Sequence, residues 1–223
     1  MAINTNKQDT DNVSVGKGIR DSDRSGWIWI APPGTKLPES ATERLDDAFV
    51  STGFISSDGL TEPAALSLGD AFTDANGDVT GTADPTYNKQ WTGTFQEYLR
   101  PNVIKALFGE EQTVINPETG EILVDEKAIT LDNHVIVVDE LLSSTGDFPR
   151  GRRARYIMPK AQIALTDDIT HNSTTQLGYG FTITAYATSD YPAQRRILQI
   201  LKPSPAPESR AAKDDVKATK SAK

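Results

Sequence analysis

The stretch "QLGYGFTITAYA", residues 176–187, places Leu177, Tyr179, Phe181, Ile183, Ala185 and Ala187 at every second position. Gln176, Gly178, Gly180, Thr182 and Thr184 fill the alternate ones. A period of two is the signature of a strand with one buried and one wet face, so this segment predicts a long half-buried β-strand. Working outward, "YIMPKAQIALT" (156–166) repeats the alternation through Ile157, Pro159, Ala161, Ile163 and Leu165. Pro159 has no N–H to give a ladder and must sit at an edge or a bulge. "RRILQILK" (195–202) supplies a last strand, and "HVIVVDEL" (134–141) one that is apolar on both faces at its centre. "TVINPETGEILV" (113–124) reads as a hairpin turning at Pro117–Gly120.

The N-terminal half fits the same class. In "GWIWIAPPGTKLPESA" (26–41) strand periodicity puts Trp27 and Trp29 on one face and Ile28 and Ile30 on the other, and Pro32, Pro33 and Gly34 end the ladder. Ser40 and Glu43 are spaced as a capping box. With Ala41, Leu45, Ala48 and Phe49 at i, i+4, i+7 and i+8 they predict a short helix that stops at Gly53. "FISSDGLTE" (54–62) turns at Asp58-Gly59, "DANGD" (74–78) is a second turn, and strands are expected at 66–73 and 87–99. "RPNVIKALFG" (100–109) carries the best-marked helix, with Pro101 at its start, Val103, Ile104, Leu107 and Phe108 on one stripe, and Gly109 at the stop. The sum is a mainly β chain, an antiparallel β-sandwich or barrel with a flanking α-helix. Residues 1–25 read as a flexible polar arm, 26–201 as the β domain, and 202–223 as a disordered tail of Pro, Ala and Lys.

Composition narrows the function. The chain has 223 residues, 37% hydrophobic, and a net charge of -8. Residues 1–201 carry about -11 and the last 22 residues +3, so the body is poorly suited to holding nucleic acid by bulk electrostatics. There is no cysteine, which excludes disulfides and thiolate sites. The polar N-terminus lacks an apolar core segment and no apolar run reaches spanning length, so neither secretion nor membrane insertion is expected. His134 and His171 lack ligand spacing, and "DANGD" departs from a calcium loop by its glycine position and by Pro85 where a glutamate is needed. The "RGRRAR" run, with Arg150, Arg152, Arg153 and Arg155, is the dense basic patch of the body. Without interleaved aromatics it favours inter-subunit salt bridges or a solvated loop over phosphate binding. No nucleophile elbow or triad is evident, so neither an enzyme nor a cofactor is expected.

The order of the pieces resembles the major tail proteins, or tail tube proteins, of long-tailed bacteriophages, particularly those of actinobacteria. The matching segments are "VSVGKG", "GWIWIAPPGTKLP", "FVSTGFISSDGLTE", "NGD", "TGTFQEYLRPNVIKALFG", "YIMPKAQIAL" and "YGFTITAYA", spread over about residues 13–200. The resemblance is densest where Ala31, Pro32, Gly34, Thr35, Leu37 and Pro38 are followed by Gly53, Ser57, Asp58 and Gly59; "TADPTYNKQ" (82–90) departs from it.

The resemblance implies a structural virion protein, assembled in the host bacterial cytoplasm, that stacks as hexameric rings into a tube. Its implied partners are further copies of itself, the tape measure protein, the tail terminator and distal tail proteins, and double-stranded DNA in passage. An acidic lumen suits such a conduit, because it repels phosphate within a Debye length of roughly 8 Å. Trp27, Trp29, Ile30, Pro32, Phe54, Trp91 and Phe95 are the candidate core or subunit-interface residues. Two alternatives remain: another β-rich virion part, such as a distal tail or head-decoration protein, and a carbohydrate-binding β-sandwich using Trp27, Trp29 and Trp91 as stacking faces.

Overall fold

The computed structural model describes residues 14–20, 24–126, 129–144, 148 and 151–199. The expected arm before residue 14 and the expected tail after 201 lie outside the described residues, as does Arg150. The described chain is mainly antiparallel β-structure with one helix on its flank.

Fifteen strands and one helix are described: β1 (Lys17–Arg20), β2 (Ser25–Gly26), β3 (Ile28–Ala31), β4 (Val50–Ser51), β5 (Leu66–Ser67), β6 (Ala71–Thr73), β7 (Val79–Thr82), β8 (Thr86–Tyr87), β9 (Lys89–Phe95), α1 (Pro101–Phe108), β10 (Thr113–Ile115), β11 (Ile122–Val124), β12 (His134–Leu142), β13 (Arg152–Leu165), β14 (Tyr179–Ala185) and β15 (Arg195–Leu198). The main sheet runs β2-β1-β12-β13-β14-β9, with β3 also on β12, β4 on β3 and β15 on β13, and it does not close into a barrel.

β13 organises this sheet. Its N-terminal half lies between β12 and β15, and its C-terminal half pairs with β14. Between the register pairs His134↔Ala161 and Ile136↔Met158, β13 holds one more residue than β12, a bulge at Pro159–Lys160. One extra residue reverses a period of two. Ala154, Tyr156 and Met158 therefore face the same core as Ala161 and Ile163, whereas Ile157 faces the opposite side. The single face expected for 157–165 is corrected accordingly, with the proline as the cause.

Two apolar clusters result. The larger joins Ile28, Ile30, Ile136, Val138, Trp91, Phe95 and the inward residues of β13 and β14 to α1. The smaller holds Trp29, Ala31, Val135, Val137 and Ile157 beneath Leu45 and Phe49. β12 is apolar on both faces because each cluster takes one of them, as the sequence predicts. α1 packs Val103, Ile104, Ala106, Leu107 and Phe108 inward and ends at Gly109, whose φ of 95° a side chain would strain.

The helix expected after Ser40 does not form. Half of the capping box does: the Glu43 amide donates to Ser40 Oγ at 3.0 Å, while Glu43 Oε2 accepts the Glu39 amide at 2.6 Å in place of that of Ser40. However, Arg155 Nη1 donates to the carbonyls of both Ser40 and Glu43 at 2.8 Å. Those carbonyls would have accepted the amides four residues on, so the buried guanidinium replaces the helical ladder, while Ala41, Leu45 and Phe49 still face the core. Residues 17–20, read above as part of the arm, form β1 and bury Ile19.

Candidate assembly surfaces

The apolar candidates divide cleanly. Trp29, Ile30, Trp91 and Phe95 are core residues. Phe95 stacks on Phe181 with ring centroids 3.9 Å apart; Trp91 meets Tyr156 edge-on and donates from Nε1 to Gln194 Oε1 at 2.7 Å. Trp27 departs from the face predicted for it. It lies in a bend after Gly26, whose φ is 146°, and its half-buried ring crosses the β1 backbone at Gly18, where a Cβ would lie 2.4 Å from Trp27 Cδ1. Pro32 and Phe54 are exposed, Phe54 by 67%.

The arginine run is dispersed by strand alternation. Arg155 is 1% exposed, and its Nε and Nη2 grip Asp139 Oδ1 and Oδ2 at 2.6 and 2.8 Å. Its Nη1 is taken by two main-chain carbonyls described above, so the buried guanidinium is engaged at all three nitrogens and serves the fold, not an inter-subunit bridge. Arg152 is buried and donates from Nη2 to Ser14 Oγ at 2.7 Å, while Arg153 is half-buried beside Gln199. The missed signal was Asp139, a buried carboxylate directly after Val135–Val138, the run of the strand that is apolar on both faces.

A polar network crosses the sheet that sequence spacing gave no means to assemble. Glu62 accepts from Lys89, from Gln194 Nε2 at 3.1 Å and from Arg196 Nη2 at 2.6 Å. Arg196 lies 5.0 Å over the Tyr156 ring, and Tyr156 donates to Glu140 Oε2 at 3.3 Å. Burial pushes the Glu140 carboxyl up, and burial followed by the Glu140 charge pushes the Tyr156 hydroxyl up to about 12. For Glu62, burial would raise the pKa, but the hydrogen bonds from Lys89 and Gln194 and the charge of Arg196 outweigh it and lower it.

Residues 65–88 leave the body as a two-tier hairpin. β5 pairs with β8 and β6 with β7, and neither ladder joins the main sheet. The tiers meet where Gly69 approaches Ala83, since a Cβ there would lie 2.1 Å from the Ala83 carbonyl oxygen. At the tip Asp74 Oδ1 accepts the amides of Asn76 and Asp78, both at 2.9 Å, which lowers its pKa and makes "DANGD" the turn its residues predict. Leu66, Leu68, Phe72, Val79 and Tyr87 are all more than half exposed. Residues 63–88 contain four aspartates and no lysine or arginine.

Such a hairpin offers free ladder edges, apolar side chains and a uniform charge, which suit it to pairing with another polypeptide. Among the described residues no group of three or more His, Asp or Glu could hold a metal ion. Nor, among them, is any helix long and apolar enough to cross a membrane.

No protein-family model and no curated protein matches this chain.

Proposed function

We propose that this chain is a self-assembling structural protein of a phage virion, whose rings, six copies each, stack into the tail tube that conducts double-stranded DNA. The observation that carries the reading is the 65–88 hairpin. A two-stranded ribbon is marginal alone in water, and this one exposes five large apolar residues with no covering segment among the described residues. A second copy supplies the missing cover. A contact between such an arm and a different surface of the next copy is head-to-tail, and head-to-tail contacts close into rings or run on as filaments. The motif order described above and the acidic body agree with this reading.

Light scattering on a concentration series tests it. The account expects the 24.2 kDa chain to grow with concentration, or on addition of other tail components, into particles of ring and multi-ring mass. A discrete trimer, or one ring that never stacks, would favour another β-rich virion part. A single monomeric mass throughout would remove the proposal. The carbohydrate alternative loses support from the site itself, because Trp29 and Trp91 are in the core and only Trp27 is partly open.

A further inference from the structure

The outward sides of β9, β14 and the C-terminal half of β13 form a continuous face of hydroxyls and amides. Register sets Ala164, Thr182 and Thr92 side by side, and the Thr61↔Thr92 bridge extends that row. The next row is Gln162, Thr184 and Gln90. These groups bond among themselves: Gln90 Nε2 donates to Thr184 Oγ1 at 3.3 Å, and the Thr166 and Thr182 hydroxyls lie 3.1 Å apart. At one end Asp167 folds over Gly180, where a Cβ would lie 2.2 Å from its Oδ2, and Asp58 joins it beside Thr61, Thr92 and Thr182; at the other Lys160 stands exposed and the Tyr186 hydroxyl donates to Gln162 Oε1 at 3.0 Å. Between those ends the two rows contain no charge, no aromatic ring and no large apolar side chain.

The rest of the sheet differs. On the β3, β12 and β15 side, Leu45 and Phe49 cover the outward face, and the exposed cations Arg195 and Arg196 stand on β15. Threonine is itself at home on strands, so what sets this face apart is the lack of charged and large apolar groups within its two rows. A face kept to threonine and glutamine is suited to a surface that must stay wetted without holding what passes. A lysine or arginine there would bind phosphate with release of counterions, and an apolar patch would collect partners.

We infer that this hydroxyl face lines the bore of the tube, with Thr182 and Thr92 toward its axis and β15 away from it, so that the rows facing passing DNA are uncharged and not the acidic lining that the net charge suggested. The inference rests on the tube reading proposed above.

Because the chain contains no cysteine, T182C and T61C each carry a sole thiol. Wild-type tubes are first confirmed in a micrograph. Each variant is then treated, dissociated and assembled, with a small maleimide dye and with the same maleimide carried on a globular protein too wide for the bore. In the dissociated state both reagents should react. In tubes the dye should still react and the carrier-borne reagent should fall to background, while E118C, at the exposed β10–β11 turn, stays open to both. Carrier labelling of Thr182 sites undiminished by assembly would put the face outside, and loss of both reagents would put it at a subunit contact; either overturns the inference and leaves the tube intact. Absence of tubes from the wild-type chain would instead remove the tube reading, and this inference with it. A variant that does not assemble alone is doped into excess wild-type chain and labelled there.

Discussion

Arg155 links three parts of the molecule that are far apart in sequence: its own strand, Asp139 on β12, and the carbonyls of Ser40 and Glu43. Removing one partner of a buried pair leaves the other charge without compensation. R155A should therefore cost about 3–5 kcal/mol in urea unfolding. R155K should not restore it, since an ammonium cannot grip a carboxylate at two points while serving two carbonyls; full stability of R155K would show that the charge alone matters. Trp29 lies between Val137 and the 35–49 segment, and W29A should cost about 3–5 kcal/mol.

Glu140 and Glu62 titrate with opposite sign. The raised folded pKa of Glu140 means that its contribution is fully present below the ordinary carboxylate value of about 4 and is lost as pH rises through the raised value. The lowered pKa of Glu62 means that its contribution is present above that ordinary value and lost as pH falls through the lowered one. From acid to neutral pH, E140Q should accordingly gain stability relative to the wild type and E62Q should lose it; parallel unfolding-midpoint curves for the two variants would refute the assignment. Much of this scale was legible in the sequence. The Ile28/Trp29/Ile30 alternation was, whereas Trp27 was not, because the positive φ of Gly26 turns the chain just before it.

At the scale of elements, what the sequence disclosed depended on how local the cause was. α1, the 113–124 hairpin and the turn at Asp74–Asp78 are set by their own residues, and their predicted forms hold. The 40–49 helix failed because its carbonyls are taken by a guanidinium more than a hundred positions away. The two faces of β13 were misread because a bulge, unlike a turn, leaves only a proline as its mark. The strand content of 66–87 was readable in part, but its separation from the sheet was not, since exposure is a property of what the rest of the chain leaves uncovered. This separation makes a prediction. The Asn88 amide donates to the Ala65 carbonyl at 2.8 Å, so the base of the hairpin is closed and residues 66–87 can be replaced by a short glycine turn. The shortened chain should melt at the wild-type temperature by circular dichroism yet fail to form assemblies. Normal assembly would take the hairpin out of the account, and a large drop in melting temperature would make it part of the fold.

At the scale of the whole molecule, surface chemistry is distributed unevenly. Apolar groups and aspartates project on the 65–88 hairpin, cations gather on β15, and one broad sheet face keeps to hydroxyls and amides. A monomer has no need of that division, whereas a ring with an outside, two stacking sides and a bore uses each part. The candidate site was the least legible feature of the sequence. Composition registered the acidic charge but not its placement, and four of the seven apolar candidates proved to hold the core. The most direct test of the central claim is a negative-stain micrograph of the purified 223-residue chain at high concentration, alone and with the phage tail components proposed as its partners. The account predicts rings and stacked tubes with a stain-filled central hole, and dispersed single copies under every one of these conditions would contradict it.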